Sequence, residues 1–154
     1  MKRLLTCALF LFVVLAPATV QAQTATRHAQ KPPVRARAVQ GDTVWVIVNP
    51  VKADKRDQFV RFLNEIFWPM GYKLKGKDLQ VFRQTRVLFP VKAEANGTYS
   101  YLFVMDPLVP GGEYDIETLL GKMYSPEKAK EYMRLFSDSL QGEQIWYVSR
   151  QTQY

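Results

Sequence analysis

The spacing of apolar and polar positions predicts a succession of strands and helices. Residues 43–49 (TVWVIVN) are β-branched and aromatic almost throughout, which predicts a buried strand ended by Pro50. Asp54, with a second acid at Asp57, then precedes Phe59, Phe62, Leu63, Ile66 and Phe67. These recur at i, i+3, i+4, i+7 and i+8, the apolar face of a helix that Pro69 and Gly71 should stop. Residues 79–92 (LQVFRQTRVLFPVK) read as a strand with polar residues on both faces. Pro90 cannot donate to a ladder, so this strand is expected at an edge or with a bulge. Asn96-Gly97 predicts a hairpin with a type I′ turn into residues 98–105 (TYSYLFVM). Pro107, Pro110, Gly111 and Gly112 form a loop, and Ile116, Leu119, Leu120 and Met123 mark a short helix. Ser125-Pro126 starts a further helix, as a cap followed by proline at the first helical position. Ala129, Tyr132, Met133, Phe136 and Leu140 give its buried face, Gly142 ends it, and residues 145–150 (IWYVSR) are the last strand.

The predicted order is β-α-β-β-α-β with a central hairpin, the ferredoxin-like form of an α+β fold. It implies a four-stranded antiparallel sheet with two main helices on one face and a short extra helix. The first and third strands are central, which agrees with their apolar character on both faces.

Alternation along those central strands separates two sets. Val44, Val46, Val48, Leu102 and Val104 are aliphatic, which suits packing under helices. Trp45, Ile47, Asn49, Tyr99, Tyr101, Phe103 and Met105 are mostly aromatic and are expected on the opposite face. So apolar a face is rarely left open on a monomer. It is expected to meet a second copy of the chain or a ligand, the alternative being that residues 107–124 fold over it.

The ends of the chain alter the picture. Lys2 and Arg3 followed by the apolar run Leu4 to Ala16 and by Val20-Gln21-Ala22 read as a secretory signal cleaved after Ala22. The run is short of the roughly 20 residues that span a bilayer, so no membrane span is expected in the mature form. Residues 23–40 have few large apolar side chains and read as a disordered basic linker. The mature protein is expected in the periplasm or secreted, with one domain over residues 41–154. The whole chain is +7, but six cations lie in residues 1–40 without an acid, which leaves the domain near neutral. A nucleic-acid partner is therefore not implied.

Residues 41–154 contain neither histidine nor cysteine. This excludes nitrogen- and sulfur-ligated metal sites and histidine-dependent nucleophilic catalysis within the domain. There is no Walker loop and no GxGxxG, and no cofactor is implied. What remains is a set of aromatic and amide groups with arginines. Trp45, Tyr99, Tyr101 and Tyr147 could line a flat apolar cavity, with Asn49 and Arg83 or Arg86 orienting a ligand oxygen. Equally, the aromatics could be dimer core and the arginines rim contacts.

The strand Val44–Val48, the turn Asn49-Pro50-Val51-Lys52 into Asp54, the helix over residues 58–63 and the closing Ala129–Leu140 and Ile145–Val148 elements resemble the dimeric α/β barrel superfamily. That superfamily includes antibiotic-biosynthesis-type monooxygenases and small ligand-binding proteins, and the resemblance covers about residues 42–150 in element order. It implies a homodimer whose sheets pack face to face, with a cavity for a small apolar or aromatic ligand. It also implies, as an alternative to binding alone, a cofactor-independent monooxygenase or isomerase acting on an aromatic or polycyclic substrate. Haem-degrading and haem-peroxidase members use a histidine, which the domain lacks.

Overall fold

A computed structural model describes residues 35–154. The signal segment and most of the linker expected from the sequence lie outside the described residues. Four antiparallel strands form one open sheet in the order β2-β3-β1-β4. They are β1 (Thr43–Val51), β2 (Thr85–Leu88), β3 (Tyr99–Met105) and β4 (Ile145–Arg150). The helices are α1 (Arg56–Arg61), α2 (Trp68–Gly71), α3 (Gly76–Gln84), α4 (Ile116–Met123) and α5 (Pro126–Ser139). This arrangement is compatible with a ferredoxin-like α+β fold, with β1 and β3 in the two central places.

Several local expectations hold for identifiable reasons. Ser125 accepts from the Lys128 N–H at the start of α5 with Pro126 next to it, and Asp115 accepts from the Thr118 N–H at the start of α4. Strand β3 pairs with β1 in a register that sets Ile47 against Phe103 and Asn49 against Tyr101. Strand β1 runs on through Pro50 to Val51, whereas its pairing with β4 stops at Val48.

The first helix does not stop at Pro69. Residues Phe62–Phe67 form a π-helical turn between α1 and α2, and the Trp68 N–H donates to the Leu63 carbonyl. In a regular α-helix, the proline ring at position 69 would clash with the carbonyl four residues earlier. Widening the turn just before it lets the helix pass through, and it brings Phe67 and Trp68 over the sheet. At the end of this stretch Gly71 packs against the Phe82 ring, which any side chain there would overlap.

Two expectations are corrected. Residues 79–92 are not one strand: α3 occupies Gly76–Gln84, and only Thr85–Leu88 join the sheet, at its edge, with Pro90 beyond the strand. The apolar positions Val81 and Phe82 are buried as a helix face. The hairpin between β2 and β3 forms, but not with a type I′ turn. Gly97 has φ +81°, and among the described residues no non-glycine residue has positive φ. The Gly97 N–H bonds the Glu94 carbonyl and the Glu94 N–H bonds the Thr98 carbonyl, as in a three-residue loop with glycine in the left-handed position.

The two faces of the sheet are also the reverse of the expectation. Ile47, Asn49, Tyr101, Phe103 and Met105 are buried under the helices, with Phe59 4.8 Å from Tyr101 and Trp68 5.8 Å from Phe103 between ring centroids. Large flat rings fill the deep space between a sheet and a helix layer that itself presents Phe59, Phe62, Phe67 and Phe136. Each such ring contributes roughly 2–3 kcal/mol through burial. Residues 107–124 lie on this same side: Tyr114 packs 5.4 Å from Trp45, and Leu119 and Leu120 enter the core. The aliphatic set of Val44, Val46, Val48 and Leu102 occupies the opposite, open face beside Ile145 and Tyr147 of β4.

Candidate functional site

A cavity of about 320 Å³ lies between the sheet and the helix layer, open at one end. Its inner wall is built by alternate residues of the central strands, Ile47 on β1 with Phe103 and Met105 on β3. Phe67 and Trp68 reach it because the π-helical turn carries them there, and Val81 and Phe82 close it from α3. Its mouth is framed by Trp45, Tyr114 and Trp146, with Glu113, Asp115 and Gln144 beside them. Trp45 and Trp146 meet edge to face, with ring centroids 5.5 Å apart at 70°.

Polar groups are few and mostly fixed. Gln144 donates through Nε2 to Asn49 Oδ1 at 2.6 Å, and Asn49 Nδ2 donates to the Tyr101 carbonyl at 3.2 Å. Tyr114 accepts through its hydroxyl oxygen from the Val109 N–H at 2.8 Å, which holds the loop ahead of α4. Burial pushes the Tyr114 phenol up, opposed in part by that hydrogen bond. Glu113 accepts through Oε1 from the Tyr114 and Asp115 N–H groups at 2.9 and 3.0 Å, which fixes its carboxylate at the rim. Thr85 is the exception. Its Oγ1 is buried with no protein partner, and the residue, 5% exposed, lines the cavity from β2. Buried hydroxyls are normally paired, and this one, closed off from solvent, is an unpaired polar atom within the protein.

The candidate residues read from the sequence are dispersed. Trp45 lines the cavity. Asn49 and Tyr101 lie beneath the helices, and Asn49, fully buried, has both ends of its amide engaged. Tyr99 lies at the far end of β3 under the Arg56 guanidinium, which stands 3.8 Å from its ring centroid. Arg83 is exposed on α3, and its carbonyl accepts from Arg35 Nε. Arg86 pairs at 2.8 Å with Asp106. Tyr147 is exposed, opposite Val46 on the open face. The residues that sequence reasoning missed, Trp68, Phe82, Thr85, Glu113 and Trp146, belong to the cavity. Trp68 carried a signal, since it precedes a proline that the helix has to accommodate. Thr85 and Glu113 carried none.

Chemically, the cavity has aromatic and aliphatic walls with the carboxylates of Glu113 and Asp115 at its rim. Among the described residues no group of three or more histidine, cysteine, aspartate or glutamate side chains could hold a metal ion. No family model matches the chain, and no curated protein or solved structure matches it either.

Proposed function

We propose that the protein is an exported, homodimeric binding protein that holds a small, flat, largely apolar ligand between its sheet and its helices. The carrying observation is the 320 Å³ cavity, of a size that suits a small aromatic molecule. Its lining combines apolar walls with few polar groups, the usual composition of a small-molecule site. The signal-like order of residues 1–22 supports export. The ferredoxin-like β-α-β-β-α-β arrangement, with the main helices on one sheet face, leaves the aliphatic face for a second copy.

Binding is favoured over the monooxygenase or isomerase alternative by the lining itself, in which the carboxylates sit at the rim and hold hydrogen bonds to backbone N–H groups. Native mass spectrometry of the purified mature protein tests the proposal. A dimer carrying a co-purified small molecule that solvent extraction releases is the expected result. A bare monomer that binds no member of a panel of small aromatic compounds would overturn it.

A further inference from the structure

We infer that the ligand of this cavity carries an organic ammonium group, seated at the mouth among Trp45, Tyr114 and Trp146 and facing Glu113. The inference rests on the binding reading above and narrows it to a chemical class. Three aromatic rings converge on the mouth: Trp45 lies 5.4 Å from Tyr114 and 5.5 Å from Trp146 between ring centroids, tilted by 48° and 70°. Trp45 packs against the other two, and all three rings line the cavity. An alkylated ammonium is attracted by aromatic faces through their quadrupoles, and cages of this kind are used to bind it.

The charge at the mouth has one sign. The charged residues lining the cavity are Glu113 and Asp115. Outside the lining, Lys77 donates to the Pro110 carbonyl at 3.0 Å and keeps its charge, and Lys122 pairs with Asp78 at 2.9 Å. Glu113 is held by two backbone N–H groups on Oε1, and among the described residues nothing donates to its Oε2. A carboxylate anchored through one oxygen offers the other as a preorganised acceptor for an N–H or for a cation's charge. Together these features select a cationic head joined to a flat aromatic body. An anion would face carboxylates, and a neutral guest would leave them unused.

The test is a titration followed by tryptophan fluorescence and by proton NMR, using 2-phenylethylammonium, 2-phenylethanol and phenylacetate as matched cation, neutral and anion. The cation should bind at least about tenfold more tightly than the alcohol, and phenylacetate more weakly than both. Glu113→Gln keeps a carbonyl oxygen for the backbone N–H groups, so the fold should survive. It should lower the cation's affinity several-fold and leave the alcohol's unchanged. Trp146→Leu should also weaken the cation more than the alcohol, while circular dichroism reports an intact fold. Equal binding of alcohol and cation would overturn the ammonium inference and leave the cavity reading standing. Binding of none of the three would overturn the inference, and if the native protein also carries no ligand, the cavity reading falls with it.

Discussion

Thr85 shows how one side chain can be placed poorly for stability. Its hydroxyl is buried without a protein partner, whereas its backbone sits in the β2–β3 ladder opposite Met105. An unpaired buried hydroxyl costs on the order of 1–3 kcal/mol relative to a paired one. Thr85→Val keeps the β-branched shape and removes the oxygen. The variant is expected to be as stable as the parent or more so, by up to about 1 kcal/mol, in urea unfolding followed by circular dichroism. A clear loss of stability would mean that the hydroxyl is already satisfied within the protein. Asn49 is the contrasting case. It is also buried, but Gln144 and the Tyr101 carbonyl occupy its amide, so its polarity is spent on joining β1, β3 and the segment before β4. From sequence neither is distinctive: Asn49 ends an apolar run, and Thr85 stands between Gln84 and Arg86. Only their partners, which are distant along the chain, distinguish a structural amide from an unpaired hydroxyl.

At the scale of elements, the hairpin loop is the clearest local test. Gly97 sits at φ +81°, a region that β-branched residues avoid, and the loop around it is closed by the Glu94–Thr98 pair. A Cβ at this position would meet nothing within 4 Å, so the penalty of substitution is conformational and not steric crowding. Gly97→Val is therefore expected to destabilise by about 1 kcal/mol or more, read as a lower melting temperature, whereas Gly97→Asn should cost less. The elements legible in the sequence were those with local signals. Ser125-Pro126 announced α5, the Asn-Gly pair announced the hairpin, and the β-branched runs announced β1 and β3. Helix α3 was not legible, because its start at Gly76 has no side-chain cap and its Val81 and Phe82 run on through Thr85 into the strand-forming residues of β2. The π-helical turn was hidden for another reason. Apolar spacing defines a helix face but not the extra residue that lets the chain continue through Pro69. The candidate site suffered most, since it is assembled from β1, the π-helical turn and its continuation, α3, β2, β3, the loop before α4 and β4, and no local pattern links them.

At the scale of the whole molecule, the sheet has one face too apolar to be left in water. Alternation showed correctly that β1 and β3 each carry two apolar sets; the reading went wrong over which set lies under the helices. The aliphatic set on the open side brings Val46 between Val104 of β3, which is buried, and Tyr147 of β4, with Val48 between Leu102 and Ile145. Ile145 is 49% and Tyr147 55% exposed, and Leu88 on β2 is 46% exposed. Exposed apolar patches that run across several strands mark contact surfaces in soluble proteins. A second copy is the partner we propose for this one, sheet against sheet, because β-branched and leucine side chains on a flat face interdigitate across the ~10 Å between packed sheets. Val46 is at the centre of the patch and points away from the ligand cavity, so it separates association from folding and from binding. Val46→Lys should leave the helices intact, since the core beneath Ile47 and Tyr101 is untouched. It should place a charge in the middle of the contact on both copies, where like charges repel and each loses water. Sedimentation equilibrium is expected to show a dimer for the parent and a monomer for the variant, with matching far-ultraviolet circular dichroism. Lys substituted at Arg83, an exposed position on α3 away from this face, should leave association unchanged and serves as the control. If the Val46→Lys variant sediments as the parent does, the aliphatic face is not the contact between copies, and the dimer would have to be sought elsewhere on the surface.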